Sequence, residues 1–275
     1  MSAHPLFDLQ GKVAVVNGGS GVLGAAIAQG LHDAGASVVV TGSTAEKVKR
    51  VAESLAHVEC KAAAFTMNAL DPDSVKDTCA AIADEFQHID VLINAIGGNR
   101  PQATAAPGQT FFDLDAKALR EVVELNLFGG VIMPCQEFGR VMASNPNGGS
   151  IINISSMAAA IPLTRVVGYS ASKAAVDNFT KWLAVHLAQE IGAGLRVNAI
   201  APGFFLTEQN KFLLTQEDGS LTERGQQIID HTPMGSFGNP EDLVGTAVWL
   251  ASPASKFVTG IVVPVDGGFS AFSGV

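Results

Sequence analysis

The sequence has little of what marks a membrane protein or a nucleic-acid-binding protein. Only 16% of its 275 residues are charged, and acidic residues outnumber basic ones by 26 to 17, a formal net charge of −9. A general nucleic-acid binder carries the opposite balance. The longest apolar runs, such as Ile261–Val265, are far shorter than the ~20 residues that a membrane span needs. We therefore expect neither a nucleic acid nor a membrane as a partner.

Cysteine is also scarce. Cys60, Cys79 and Cys135 lack the C-x-x-C spacing of a metal or redox site and leave one residue unpaired, which is typical of reduced thiols in a cytosolic protein. No H-E-x-x-H spacing indicates metal ligands, so we expect no metal. Residues Met1–Gln10 show no basic segment followed by an apolar one, so no signal peptide is predicted. We expect a cytoplasmic protein.

Apolar residues, in contrast, are plentiful, at 47% of the chain. They occur in short runs without polar alternation, which indicates parallel strands covered on both faces. Helical patterns lie between the runs, and this order predicts one doubly wound α/β domain over residues 1–275. The predicted strands are Val13–Val16, Val38–Thr41, Ala62–Phe65, Val91–Asn94, Ile151–Ile154, Val197–Ile200 and Ile261–Val265. The predicted helices are Leu23–Ala34, Pro72–Phe86, Ala116–Met142, Ser170–Glu190 and Pro240–Leu250.

Two irregular stretches, Gly97–Phe112 and Phe204–Thr232, follow strands. They should lie at the carboxyl ends of the strands, where open α/β sheets bind ligands. The turn after the first strand, Asn17–Gly24, is rich in glycine, and glycines there let a pyrophosphate approach the N–H groups of a helix start. This turn predicts nucleotide binding, although a purely structural turn could use the same residues.

A tyrosine and a lysine share one helix face near the middle of the chain. Tyr169 and Lys173 are four residues apart and therefore project the same way. A phenol is a poor base near neutral pH, but a nearby ammonium lowers its pKa. The strand before them ends in Ser155 and Ser156, which can place a hydroxyl beside the phenol. The alternative is a surface contact on a helix and a serine pair that merely ends a strand.

Taken together, these motifs resemble the short-chain dehydrogenase/reductase family over essentially the whole chain. The resemblance implies a Rossmann-type sheet with helices on both faces and hydride transfer with NAD or NADP. It implies that Tyr169 is the general acid/base, that Lys173 lowers its pKa, that Ser156 orients the substrate oxygen, and that Asn126 holds a water linked to Lys173. The cofactor residues implied are Gly18, Ser20, Gly21, Val22, Leu23, Gly24, Ser43, Asn68, Asn94, Gly97, Tyr169, Lys173, Pro202, Gly203, Phe205 and Thr207.

The chain departs from the family pattern at several positions. Val22 stands where the glycine turn usually has glycine, and Ala95 replaces an asparagine after the fourth strand. Asn68 replaces the aspartate that contacts adenine. At the end of the second strand, Gly42 and Ser43 occupy positions where relatives often carry aspartate for NAD or arginine for NADP. The choice between NAD and NADP therefore stays open.

Within the family, the chain looks like the D-mannonate oxidoreductase (fructuronate reductase) branch in five stretches: Gly18–Gly24, Ile96–Pro101, Phe111–Asp115, Pro202–Thr207 and Gly267–Val275. This likeness implies a small-molecule substrate that is a sugar acid or a polyol. A carboxylate would be held best by an arginine, and Arg100 is the first choice, followed by Arg165. Asn99 could bind hydroxyls, and Met157 should line the substrate pocket.

Other functions stay open at this point. The family also includes ketone and 3-oxoacyl reductases, but Asn99, Arg100, Gln209 and Asn210 indicate a polar pocket rather than a channel for an acyl chain. A non-catalytic nucleotide-binding regulator would be expected to lack the serine, tyrosine or lysine. A lyase or an epimerase would form product without net turnover of NAD(P)H. A homotetramer is expected from family resemblance, from the two long helices and from the apolar tail Phe269–Val275.

Overall fold

The computed structural model describes residues 4–55, 60–106, 108–192, 194–207 and 211–274. Seven parallel strands form one sheet in these residues: β1 (Val13–Asn17), β2 (Ser37–Gly42), β3 (Ala62–Thr66), β4 (Val91–Asn94), β5 (Gly149–Ile154), β6 (Leu195–Pro202) and β7 (Val262–Val265). Their order in the sheet is β3-β2-β1-β4-β5-β6-β7. The predicted sheet is confirmed, and no strand end differs from the predicted one by more than two residues.

Helices cover both faces of the sheet. Three of them were not predicted: Ala45–Ser54 (α2), Lys211–Leu214 (α7) and Glu223–Asp230 (α8). α7 has only four residues, and α2 and α8 are short, mostly polar and bury only two residues each. The stretch Phe204–Thr232 is therefore less irregular than expected. The helices are α1 (Val22–Asp33), α2 (Ala45–Ser54), α3 (Pro72–Phe86), α4 (Ala116–Val123), α5 (Met133–Met142), α6 (Val167–Glu190), α7 (Lys211–Leu214), α8 (Glu223–Asp230) and α9 (Val244–Ala251).

The predicted long helix Ala116–Met142 is not uniform. A π-helical segment, Glu124–Ile132, joins α4 to α5. It contains buried glycines that approach other backbone closely: a Cβ on Gly129 would lie 2.7 Å from the Ala69 carbonyl oxygen. These close approaches hold the segment against neighbouring backbone. π-helical turns inside α-helices often occur at functional sites.

Alternate residues of each central strand enter two separate cores. Val13 and Val15 of β1 face a core shared with α3, α5 and α6. Ala14 and Val16 face a second core shared with α1 and α9. All four side chains are at most 5% exposed. Burial on both faces explains why the strands are continuously apolar in the sequence.

A chain of hydrogen bonds crosses the sheet inside the protein. Thr41 Oγ1 donates to Asn17 Oδ1 (2.8 Å), Asn17 Nδ2 to Asn94 Oδ1 (3.1 Å), and Asn94 Nδ2 to Asn153 Oδ1 (2.9 Å). Asn153 Nδ2 in turn donates to Thr180 Oγ1 of α6 (2.9 Å). All five side chains are completely buried, so each polar group needs such a partner. The chain ties β2, β1, β4, β5 and α6 together just below the strand ends.

Candidate active site

A cleft of about 650 Å³ opens at the carboxyl ends of the central strands. It lies where the strand order reverses between β1 and β4, the position at which doubly wound sheets bind ligands. Lys173 is the only charged residue in the described lining. The predicted residues that line the cleft are Gly18, Ser20, Gly21, Val22, Leu23, Gly24, Ser43, Asn68, Gly97, Ser156, Tyr169, Lys173, Pro202, Gly203, Phe205 and Thr207.

The glycine turn between β1 and α1 leaves no room for side chains. Gly18 has a φ of +78°, and a Cβ there would lie 2.9 Å from the backbone of Ala95. A Cβ on Gly24 would lie 2.4 Å from the Gly18 carbonyl oxygen. Gly21 precedes the first residue of α1 without a side-chain hydrogen bond to cap the helix. The helix start therefore presents backbone to the cleft, an arrangement that suits an anion.

The end of β2 forms a neutral corner of the cleft. Gly42 and Ser43 line it together with Ser20 and Asn68, and no carboxylate or basic side chain belongs to this part of the described lining. A Cβ on Gly42 would lie 2.7 Å from Ser20 Oγ, so these two residues pack closely. Asn68 Oδ1 accepts a hydrogen bond from the Leu70 N–H (3.2 Å), which orients its amide.

Ser156, Tyr169 and Lys173 meet at the other end of the cleft. Ser156 follows β5, and its hydroxyl is near enough to the Tyr169 phenol to act on its pKa. Lys173 Nζ lies 5.7 Å from the centre of the Tyr169 ring and donates to the Ile154 carbonyl oxygen at 2.7 Å. Burial raises the pKa of Tyr169, and the Ser156 hydrogen bond opposes this rise. Burial lowers the pKa of Lys173 to about 8, against the nearby Asp177 carboxylate.

Asn126 lies next to this group but outside the cleft lining. Its Nδ2 donates to the carbonyl oxygens of Gly98 and Val122, both at 2.7 Å, and its Oδ1 accepts from the Gly98 N–H at 3.0 Å. A Cβ on Gly97 would lie 2.6 Å from Asn126 Oδ1 and 3.2 Å from Lys173 Nζ. Asn126 therefore fastens the loop after β4 and lies close to the lysine, with Gly97 between them.

Comparison with known proteins decides the family. A family model described as enoyl-(acyl carrier protein) reductase matches residues 19–270. The chain is 47% identical to UxuB, an uncharacterized oxidoreductase of Bacillus subtilis, and 35% identical to the gluconate 5-dehydrogenase of Gluconobacter oxydans, with 98% of each chain covered in both cases. A solved structure of a candidate D-mannonate oxidoreductase from Haemophilus influenzae, with bound NAD, is 39% identical and superposes with a TM-score of 0.90 over 98% of each chain.

The chain belongs to the short-chain dehydrogenase/reductase family. The family and the fold expected from the motifs are thereby confirmed, including the likeness to a protein named for D-mannonate oxidoreduction. This short-chain dehydrogenase/reductase is an oxidoreductase that acts on CH–OH groups. Within the part of the chain that the structure describes, no helix is long and apolar enough to cross a membrane and no group of side chains could hold a metal ion.

Several predicted residues of this dehydrogenase/reductase lie outside the cleft lining. Asn94 belongs to the hydrogen-bond chain inside the sheet. Asn99 Nδ2 donates to Thr104 Oγ1 at 2.7 Å, and Met157 is 2% exposed in the core cluster that also contains Ile228. None of these three side chains reaches the described surface of the cleft. Gln209 and Asn210, from the predicted polar pocket, lie outside the described residues.

The two arginines proposed for a carboxylate differ in their surroundings. Arg100 Nε forms an ion pair with Glu121 Oε2 at 3.1 Å, so its charge already has a partner. Arg165 is exposed and makes no ion pair in the described part of the chain. It lies near Arg224 of α8, where burial and the Arg165 guanidinium both lower the pKa of Arg224. Neither arginine lines the described cleft.

Sequence reasoning missed some residues of the site. Ile154, Ser155 and Phe204 line the cleft, and Arg224 lies beside Arg165. A polar residue directly after a strand was the available signal for Ser155, but Ser156 alone was selected from the pair. No sequence signal connects Arg224 to Arg165, because 58 intervening residues separate them and α8 was not predicted.

Proposed function

We propose that this protein interconverts a secondary alcohol and the matching ketone of a sugar acid or polyol of the D-mannonate/D-fructuronate kind, using NAD or NADP. The observation that carries the proposal is the meeting of Ser156, Tyr169 and Lys173 beside the glycine turn, in one cleft. Membership of the family supports oxidoreduction at a CH–OH group. The names of similar proteins, a gluconate 5-dehydrogenase and a candidate D-mannonate oxidoreductase, support a sugar-acid substrate.

The residues at the glycine turn fit a dinucleotide. The uncapped start of α1 suits the pyrophosphate, and any Cβ on Gly18 or Gly24 would collide with neighbouring backbone. Ser43 would face the adenosine ribose and Asn68 the adenine. The segment Pro202–Thr207 would flank the nicotinamide. When bound, the nicotinamide supplies the hydride chemistry.

Tyr169 would transfer the proton that accompanies the hydride. In the reducing direction its hydroxyl donates to the carbonyl oxygen, and in the oxidising direction its phenolate accepts the proton of the substrate hydroxyl. Ser156 would bind the same substrate oxygen, because its side chain already contacts the phenol. Such general acid/base catalysis contributes typically about 10²–10⁴-fold.

Lys173 would make the phenol a better base. Its ammonium favours the phenolate electrostatically, and its bond to the Ile154 carbonyl oxygen holds it at the base of the cleft. Asn126 would hold a water that connects Lys173 to solvent, as the family resemblance implies. The close approach of Asn126 Oδ1 and Lys173 Nζ around Gly97 supports this assignment.

A sugar acid also needs a partner for its carboxylate. Arg165 and Arg224 are better candidates than Arg100, whose guanidinium is already paired with Glu121. The Arg165 guanidinium lies near enough to Arg224 to lower its pKa, and neither forms an ion pair among the described residues. Each could bind a carboxylate through two N–H groups. Arg165 is four residues from Tyr169, so the pair would hold the acid end of a substrate at the tyrosine end of the cleft.

The test is a panel of substrates followed by the absorbance of the reduced nicotinamide. D-mannonate, D-gluconate, neutral polyols of matching length and a 3-oxoacyl thioester are each assayed with the NAD and NADP couples. Turnover of sugar acids well above that of the thioester is expected. Faster reduction of the thioester would contradict the sugar-acid assignment and support a 3-oxoacyl reductase. Product formation without net NAD(P)H turnover would indicate a lyase or epimerase.

We also propose a homotetramer in the cytoplasm, although the tail is a weaker argument than expected. Phe269 is 8% exposed and packs on His231, with ring centres 4.6 Å apart, and Val275 lies outside the described residues. The exposed apolar side chains of α6, Trp182 and Val185, give a better reason for association. Light scattering that shows a monomer at micromolar concentration would reject the tetramer.

A further inference from the structure

Asp177 is a partly buried acid of the site that the proposed function does not use. It lies on α6, one turn beyond Lys173, and its Oδ1 accepts a hydrogen bond from Ser155 Oγ. We propose that Asp177 is a positioning residue, which acts through Ser155 to hold Ser156 at the correct place beside Tyr169. The inference rests on the proposed function, because it assumes that Ser156 and Tyr169 act on the substrate.

The end of β5 is attached to α6 at two consecutive residues. Lys173 Nζ donates to the Ile154 carbonyl oxygen at 2.7 Å, and Ser155 Oγ donates to Asp177 Oδ1. Lys173 and Asp177 are four residues apart and project from the same face of the helix. The next residue along the strand is Ser156. Ser155 Oγ also forms a longer hydrogen bond with the Lys173 carbonyl oxygen, at 3.5 Å. The distance of Ser156 from the phenol therefore depends on these three attachments, and Asp177 is the one partner on α6 without an assigned role.

Ser155 is placed to transmit this constraint. It is 2% exposed, and its N–H donates to the Ile200 carbonyl oxygen of β6 at 2.7 Å. Its backbone is thus held by the sheet and its side chain by α6. A shift of Ser155 on loss of the carboxylate would move Ser156 with it, since the two are joined by one peptide bond.

The charges around Asp177 are consistent with a carboxylate held in place. Burial raises its pKa, while the Ser155 hydrogen bond and the ammonium groups of Lys181 and Lys173 lower it. Asp177 in turn opposes the burial that lowers the pKa of Lys173. The groups that act on Asp177 are Ser155, directly after β5, and Lys173 and Lys181 from α6 itself. A neutral side chain at position 177 would thus also make Lys173 lose its proton more readily.

The experiment is a double-mutant cycle with Ser155→Ala and Asp177→Ala, assayed with D-gluconate and NAD. Losing a hydrogen bond to a charged group corresponds to about tenfold or more in rate, so each single variant should lower kcat by about tenfold. If Asp177 acts through Ser155, the double variant should lose no more than Asp177→Ala alone, because both changes break the same attachment. Asp177→Asn keeps an acceptor for Ser155 but not the charge beside Lys173, and it should recover the part of kcat that Ser155 transmits. Glu190→Gln, an exposed acid at the end of the same helix, is the matched control.

A second measurement needs no substrate. Tyr169 is the only tyrosine of the chain, so the ultraviolet absorbance of its phenolate reports its pKa directly. Ser155→Ala and Asp177→Ala should both raise this pKa, because Ser156 moves away from the phenol, while Glu190→Gln should not. Cofactor affinity should stay within about twofold, since neither residue is assigned to hold it.

Two results would overturn the inference. One is a kcat within twofold of the wild type in both single variants together with an unchanged phenol titration. The other is an additive loss in the double variant. Failure of the proposed function is a separate outcome: Tyr169→Phe would then keep its turnover. In that case the phenol titration of the Ser155→Ala and Asp177→Ala variants still decides whether Asp177 positions Ser156.

Discussion

Replacing Ser156 by alanine should make the Tyr169 phenol harder to ionise. Burial raises the pKa of the phenol, and the Ser156 hydroxyl beside it opposes this rise. The variant removes this hydroxyl while keeping the ring, its burial and Lys173. A hydrogen bond to a charged group contributes about 1.5–3 kcal/mol. Because the variant loses this contribution, we expect ionisation of Tyr169 to become less favourable, so that its pKa rises further.

The assay is the ultraviolet absorbance of the phenolate as a function of pH. The signal belongs to one residue, since Tyr169 is the only tyrosine, and Tyr169→Phe gives the baseline. Ser170→Ala is a matched control. Ser170 is a neighbouring buried serine whose hydroxyl has no hydrogen-bond partner in the structure's described residues. Its removal should leave the titration in place. A Ser156→Ala curve that is unchanged, or that moves to lower pH, in a protein with native circular dichroism would refute the assignment of Ser156 as the partner of the phenol.

The remaining predictions concern the proton, the cofactor and the carboxylate. Tyr169→Phe should lose at least about 100-fold in kcat with cofactor affinity retained; near-normal turnover by stopped absorbance assays would exclude the tyrosine as acid/base. Gly42→Asp should shift the ratio of kcat/KM for the two cofactors toward NAD, since a carboxylate repels the 2′-phosphate of NADP. A Cβ at position 42 would lie 2.7 Å from Ser20 Oγ, so the change is made together with Ser20→Ala. An unchanged ratio in the double variant would contradict the placement of the adenosine ribose at Gly42. Arg224→Leu should lower kcat/KM by roughly 10–150-fold for a sugar acid and by much less for the matching neutral polyol; equal losses would assign Arg224 to the fold.

The apolar runs of the sequence were sufficient to predict the sheet. The central strands are buried on both faces, so residues such as Val13–Val16 and Val38–Val40 are continuously apolar and stand out from their surroundings. Helices with few buried positions left no such signal. In α2, only Val48 and Ala52 are buried, and its charged residues are equally compatible with a loop.

The order of motifs along the chain also determined the family and the positions of Ser156, Tyr169 and Lys173. This was possible because their relation is local: two of them share one helix face, and the third ends the strand before that helix. The structure then brings these three together in one cleft. Their catalytic roles remain predictions for the experiments above.

Only the tertiary structure decided which charged side chains form ion pairs and which polar side chains are fixed by hydrogen bonds. Arg100 was the first choice for a carboxylate, yet it forms an ion pair with Glu121 of α4. Asp177 accepts a hydrogen bond from Ser155, which is 22 residues earlier in the chain. Arg165 lies near enough to the distant Arg224 to lower its pKa. Such contacts depend on how helices pack on strand ends. A linear pattern of residue types records which face of an element is buried, but it does not record which neighbour that face meets.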